Sequence, residues 1–166
     1  MQLKPTILVA FATISQARFG QEGAVQDIIQ GLSTFGPPGA AGTLAGQTPG
    51  VLLAGASACA KLELADEIVA TLGNDPEVLA GAAALVAAEK NFNPSAQDVP
   101  TICNNPNLPA TPELRGIVPL VDPAVDGADV QNANSAQSLA SPFNDGGLSV
   151  ADLSRAQGFE NFIDEA

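Results

Sequence analysis

A helical hairpin is written into residues 59–92, and it constrains the rest of the chain more than any other stretch. Leu62, Ala65, Ile68, Val69 and Leu72 recur at three- and four-residue spacing, which marks one face of an α-helix. Glu63, Asp66 and Glu67 fall off that face. Gly73 offers a left-handed position after the helix at little steric cost. Asp75 is placed to cap a second helix, and Pro76 suits its first turn, where no amide donor is needed. Val78, Leu79, Ala82, Leu85, Val86 and Phe92 form the second apolar stripe. Ala83, Ala84, Ala87 and Ala88 widen it with small residues that allow another helix close. Pro94 stops the run, and the three-residue turn between the arms makes them antiparallel.

Downstream the pattern changes. Eight of the 13 prolines lie between residues 93 and 143, too closely spaced for long helices or central strands. Thr111-Pro112-Glu113-Leu114 predicts a single helical turn. Ile117-Val118-Pro119-Leu120-Val121 predicts an extended segment laid over the helical core. Asp122-Pro123 reads as a cap-and-proline pair, and Val130, Ala133, Ala136 and Ala140 as a weak apolar helical stripe closed by Pro142. Asn144-Asp145-Gly146-Gly147 is a turn signal. Ser149-Val150-Ala151-Asp152 resembles a capping box with Asp in the Glu position, opening a short helix that buries Val150 and Leu153. Phe159, Phe162 and Ile163 form an apolar tail expected to pack back on the core.

Upstream, Val25, Ile28, Ile29 and Leu32 predict a helix over 21–35, ended by Gly36-Pro37-Pro38-Gly39. Residues 40–47 are expected to add a further turn or more. Thr48-Pro49 reads as another cap and first turn, followed by the apolar Val51, Leu52 and Leu53. Whether residues 48–58 make a separate helix is left open by the sequence. The expected fold class is all-α: a compact small helical bundle with a proline-rich irregular segment packed on it and one disulfide.

Residues 1–17 read as a secretory signal peptide: Lys4, an apolar stretch from Pro5 to Ile14, then Ser15-Gln16-Ala17 as a small-x-Ala cleavage site. The apolar stretch is shorter than the roughly 20 residues of a membrane span. Residues 18–166 are then a single secreted helical domain, extracellular or cell-wall-associated. Cys59 and Cys103 are the only cysteines. In a chain bound for the secretory pathway they are expected to pair.

The residue inventory restricts chemistry. There is no histidine, tyrosine or tryptophan, so the commonest general base and any Ser-His-Asp or Cys-His arrangement are missing. Two cysteines without histidine leave a zinc ligand set short. Eighteen acids against six bases repel nucleic acid and anionic membranes. No enzyme is expected, although a carboxylate-only hydrolase is a formal alternative. No cofactor is implied unless it is calcium: Asp122, Asp126, Asp129 and Asn132 sit in one turn-rich stretch, and hard cations take several oxygens. Their spacing departs from the EF-hand loop, and the plainer reading is a solvated acidic loop. A third reading is a binding module for a hydrophobic ligand or surface, since several amphipathic helices rich in small residues can enclose one.

The signal peptide, the cysteine pair, the Ala/Gly/Pro-rich helices and the acidic balance together resemble the small secreted proteins of filamentous ascomycete fungi. Arg18-Phe19-Gly20-Gln21-Glu22 and the stretch from Leu114 to Pro123 carry the resemblance further. It is one of style over the whole chain, with no defined family and no active site to transfer. It implies a cell-wall protein or candidate effector, whose partner is another protein, a wall component or an apolar surface. The leading expectation is therefore a non-catalytic secreted protein acting at the cell surface or in interaction with a host or substrate.

Overall fold

The computed structural model describes residues 21–91 and 99–166. The expected leader at 1–17, Phe92 and the stop at Pro94 lie outside them. Six α-helices are present among the described residues: α1 (Gln21–Gln30), α2 (Ala40–Val51), α3 (Ala60–Leu72), α4 (Pro76–Ala87), α5 (Ala128–Ala140) and α6 (Val150–Ala156). Two short strands, β1 (Thr101–Cys103) and β2 (Ile163–Glu165), pair in parallel with Thr101 opposite Ile163. The fold is mostly helical, and the small sheet makes all-α an approximation.

The hairpin forms from the residues that predict it. Leu62, Ala65, Ile68 and Leu72 of α3 are buried, with Leu64 beside them. They meet Val78, Ala82, Leu85 and Val86 of α4. The Asp75 carboxylate accepts from the Glu77 amide at 3.0 Å, a cap worth about 1 kcal/mol. Gly73 has a positive φ of 97° but an extended ψ of −178°, so it leaves the helix by an extended route, where the sequence predicts a left-handed one. α1 packs on α2 and α4, and α2 on α3, which closes a four-helix core.

Three upstream expectations are corrected. α1 stops at Gln30, short of residue 35, because Gly31 follows; Leu32 reaches the core from a turn whose amide bonds the Ile29 carbonyl at 3.1 Å. Ile28, assigned to the buried stripe, is 46% exposed. Thr48-Pro49 does not open a helix. α2 runs unbroken from Ala40, and Pro49 lies in its last turn. There the missing amide costs one bond to the carbonyl of Ala45, while the buried Thr48 hydroxyl bonds back to Leu44 at 3.4 Å. Residues 48–58 are thus the end of α2 and a series of turns. Leu52 is fully buried and Leu53 exposed.

The proline-rich half packs as expected on the helices. Pro112–Leu114 is a single 3₁₀ turn. Residues 117–121 run extended, bury Ile117, Val118 and Val121, and bond the end of α4 through the Leu120 amide and the Ala87 carbonyl at 2.9 Å. Gly116 enters this segment at φ +84°, where a Cβ would stand 2.1 Å from the Phe143 carbonyl oxygen. Only glycine lets the two backbones meet there.

α5 lies in the opposite phase to the one its hydropathy predicts. Val130, Ala133, Ala136 and Ala140 face outward, and Gln131, Ser135 and Ser138 are buried. The reason is backbone bonding. An extended segment with no strand beside it among the described residues must place its N–H and C=O groups somewhere, and α5 supplies partners for them. Asn132 donates to the Val121 carbonyl at 3.0 Å and accepts from the Val121 amide at 2.9 Å. Gln131 donates to the Pro119 carbonyl at 2.8 Å, and Ser138 accepts from the Val118 amide at 3.1 Å.

In the tail, Ser149 caps α6 by accepting from the Asp152 amide at 3.0 Å. The Asp152 carboxylate turns to Arg155. Phe159 and Phe162 are buried with ring centroids 5.5 Å apart. Ile163, expected to join them, is 53% exposed on β2.

Candidate functional site

Cys59 precedes α3 and Cys103 ends β1, and they form a disulfide. The expected pairing is present. It brings the start of the hairpin against the start of the proline-rich half. Beside it lies a partly open cleft walled by Ala58, Leu62, Pro100, Ile102, Leu120 and Val150, with Lys61, Lys90 and Thr101 as its polar members.

Lys61 lies on the buried face of α3, with its residue surface only 5% exposed. Its amine donates to the carbonyls of Val86 at 2.8 Å and Ala88 at 2.5 Å. These belong to the C-terminal end of α4, where unpaired carbonyls carry partial negative charge. Burial lowers the Lys61 pKa to about 7; the Lys90 charge pushes the same way, and Glu89 opposes both. Lys90 is partly buried, and its pKa is also lowered, by burial, against the favourable charge of Glu165. Its ammonium donates to the Ala54 carbonyl at 3.0 Å and to Thr101 Oγ1 at 2.9 Å. The cavity volume is about 20 Å³. That is room for about one water molecule, well below the several hundred Å³ of a typical ligand pocket.

The proposed calcium ligands are not brought together. Among the described residues no group of three or more acidic, cysteine or histidine side chains is placed to hold a metal. Asp122 is buried, with Oδ1 accepting from the Ala124 amide at 2.8 Å. Asn132 commits its amide to Val121. Asp126 and Asp129 are exposed on either side of the first residues of α5. The carboxylates sharing this short stretch of sequence therefore do different work, and Asp122 with Asn132 organises a turn.

The remaining polar side chains mostly bind backbone. Asp66 accepts from the amides of Ala110 at 2.7 Å and Thr111 at 2.8 Å, which ties the proline-rich half to α3. Arg115 donates to Asp145 at 2.7 Å and to the carbonyls of Pro109, Pro106 and Leu148. The Arg115 hydrogen bond holds the Asp145 carboxyl below the usual range. Arg155 pairs with Asp152 and Asp164 and lies over the Phe162 ring, 4.7 Å from its centre.

Sequence reasoning did not single out Lys61 and Lys90. The signal was present for Lys61: with Ala65, Ile68 and Leu72 it repeats at the spacing of the buried face of α3. For Lys90 there was none, because its partners come from Ala54 and Thr101, on separate segments.

These features define a small, mostly helical domain stapled by one disulfide, with many of its described polar side chains bonded to its own backbone. The chain matches no family model, no curated protein and no solved structure. No helix among the described residues is long and apolar enough to cross a membrane.

Proposed function

We propose that the chain is a non-catalytic secreted protein that acts at the cell surface or in contact with a host or substrate, and that it does so through the proline-rich half. What supports this reading is the destination of the polar side chains. Asp66, Arg115, Gln131, Asn132 and Ser138 all bind main-chain groups of residues 106–121. Loops held this way form a fixed surface on a rigid core, the usual placing of recognition.

The test is retention of the purified chain from residue 18 onward on intact cell walls and on host or substrate surfaces, read by sedimentation. Retention is expected, and Arg115→Ala, which frees Asp145 and three carbonyls, is expected to weaken it at least fivefold. Absence of retention on every surface overturns the reading. So does a hydrolytic turnover that a single carboxylate substitution abolishes.

A further inference from the structure

The chain contains two Asp-Gly bonds, Asp126-Gly127 and Asp145-Gly146. At such a bond the glycine nitrogen can attack the aspartate side chain, because glycine has no Cβ to obstruct the approach. A bond forms between that nitrogen and the aspartate Cγ, the ring closes as a succinimide, and one water leaves with the carboxyl oxygen. Water then reopens the ring at either carbonyl. Opening at Cγ restores aspartate, and opening at the former main-chain carbonyl gives isoaspartate. No atom is gained or lost overall, and water is the only co-reactant.

The fold treats the two bonds differently. At Asp145 both reacting groups are held. Its Oδ2 accepts from Arg115 Nε at 2.7 Å and from the Gly147 amide at 3.2 Å. The Gly146 amide, which would be the nucleophile, donates to Asn144 Oδ1 at 3.2 Å. The ring closes through the neutral acid, and the Arg115 hydrogen bond favours the ionised form of the Asp145 carboxyl.

Asp126 is exposed. Gly127 stands at φ 82° as the residue before α5. Its nitrogen thus lies ahead of the helical ladder, whose first bonds run to the Gly127 carbonyl from Val130 at 3.1 Å and Gln131 at 3.2 Å. Asp126 is tied through its main-chain carbonyl, which accepts from Asn161 at 3.2 Å, and that bond does not fix the side chain. We propose that Asp126-Gly127 is a self-modification site that converts to isoaspartate, while Arg115, Gly147 and Asn144 protect Asp145-Gly146. Conversion adds one methylene to the main chain just before α5 and turns the carbonyl that accepts from Asn161 into a pendant carboxylate. Gly127 packs closely on Phe159, where a Cβ would stand 3.4 Å from the ring, so the longer link disturbs the start of α5. That helix holds residues 118–121 through Gln131, Asn132 and Ser138. The inference stands apart from action at a surface, and either can fail without the other.

The experiment is prolonged incubation of the disulfide-bonded chain from residue 18 onward at 37 °C and pH 6, with isoaspartate located by peptide fragmentation that distinguishes it from aspartate. Isoaspartate is expected to accumulate at position 126 at least tenfold faster than at 145. In the reduced chain unfolded in urea the two rates are expected to converge, which assigns the contrast to the fold. Arg115→Ala is expected to raise the rate at 145 severalfold and leave that at 126 unchanged, with melting temperature as the check on folding. Asp126→Glu, whose longer side chain closes the ring poorly, is expected to abolish the modification at 126. Absence of isoaspartate at 126 in the folded chain, equal rates at the two sites, or a contrast that persists after unfolding overturns the proposal.

Discussion

Lys61 is the residue whose chemistry departs furthest from its free state. Its pKa of about 7 in the folded chain lies below the unfolded value of roughly 10.4. Between these values the unfolded chain holds a proton that the folded chain lacks, so stability rises with pH across that window. Below about pH 7 both states are protonated, and burial of the charge costs its full amount. Lys90 shifts in the same direction, and the carboxylates of Glu89 and Glu165 act against the two shifts. Urea midpoints at pH 6.5, 8 and 9.5 are therefore expected to rise, with a gain on the order of a few kcal/mol. In Lys61→Met most of that rise disappears. The variant also leaves the Val86 and Ala88 carbonyls without their donor, which lowers stability at pH 9.5 by about 1–3 kcal/mol. A variant that keeps the full pH slope would place its origin in other groups.

At the scale of elements, α5 sets the sharpest test. Its outward residues are apolar, with Val130 40% exposed, and its inward Gln131 is 0% exposed. Gln131→Leu strands the Pro119 carbonyl and is expected to destabilise by about 1–3 kcal/mol. Val130→Ser removes an exposed side chain and is expected to stay within about 0.5 kcal/mol. Chemical denaturation of the pair measures both, and the ordinary reading of the helix predicts the reverse order. α5 also shows what sequence could and could not reveal. The hairpin was legible because its partners are other helices, and helix packing leaves apolar spacing as its trace. The extended course of residues 117–121 was legible from Pro119. What α5 does to that segment was not, because its inner face binds backbone, and backbone groups leave no mark on hydropathy. The cap at Asp75 could be read from two adjacent residues. The cleft could not, because it needs Lys61, Lys90 and Thr101, and only the fold puts Thr101 beside Lys90.

On the scale of the whole molecule, each described base is committed to internal partners. Lys61, Lys90, Arg115 and Arg155 bond carbonyls, a hydroxyl or carboxylates of the same chain. The acids outnumber them and dominate the exterior, which disfavours close approach of like-charged copies. The staple between Cys59 and Cys103 spans 44 residues. In the chain-entropy treatment, closing a loop of that length contributes about 4 kcal/mol. The double variant Cys59→Ala/Cys103→Ala is expected to lose up to that amount, read as a lower urea midpoint. A midpoint unchanged from that of the parent chain would mean that the unfolded ensemble is already restrained near the hairpin.

The parallel pairing of β1 with β2 also orders events during synthesis. α1 to α4 and Cys103 leave the ribosome before Ile163–Glu165, the only strand partner of Thr101–Cys103 among the described residues. The helical core and both sulfurs are therefore available while the β1 edge is still bare. The tail then arrives as the closing piece: Glu165 accepts from Ala58 and from the Asn104 amide, one residue from each cysteine. Both cysteines are thus synthesised before the segment whose Glu165 carbonyl lies against Cys59 in the folded chain.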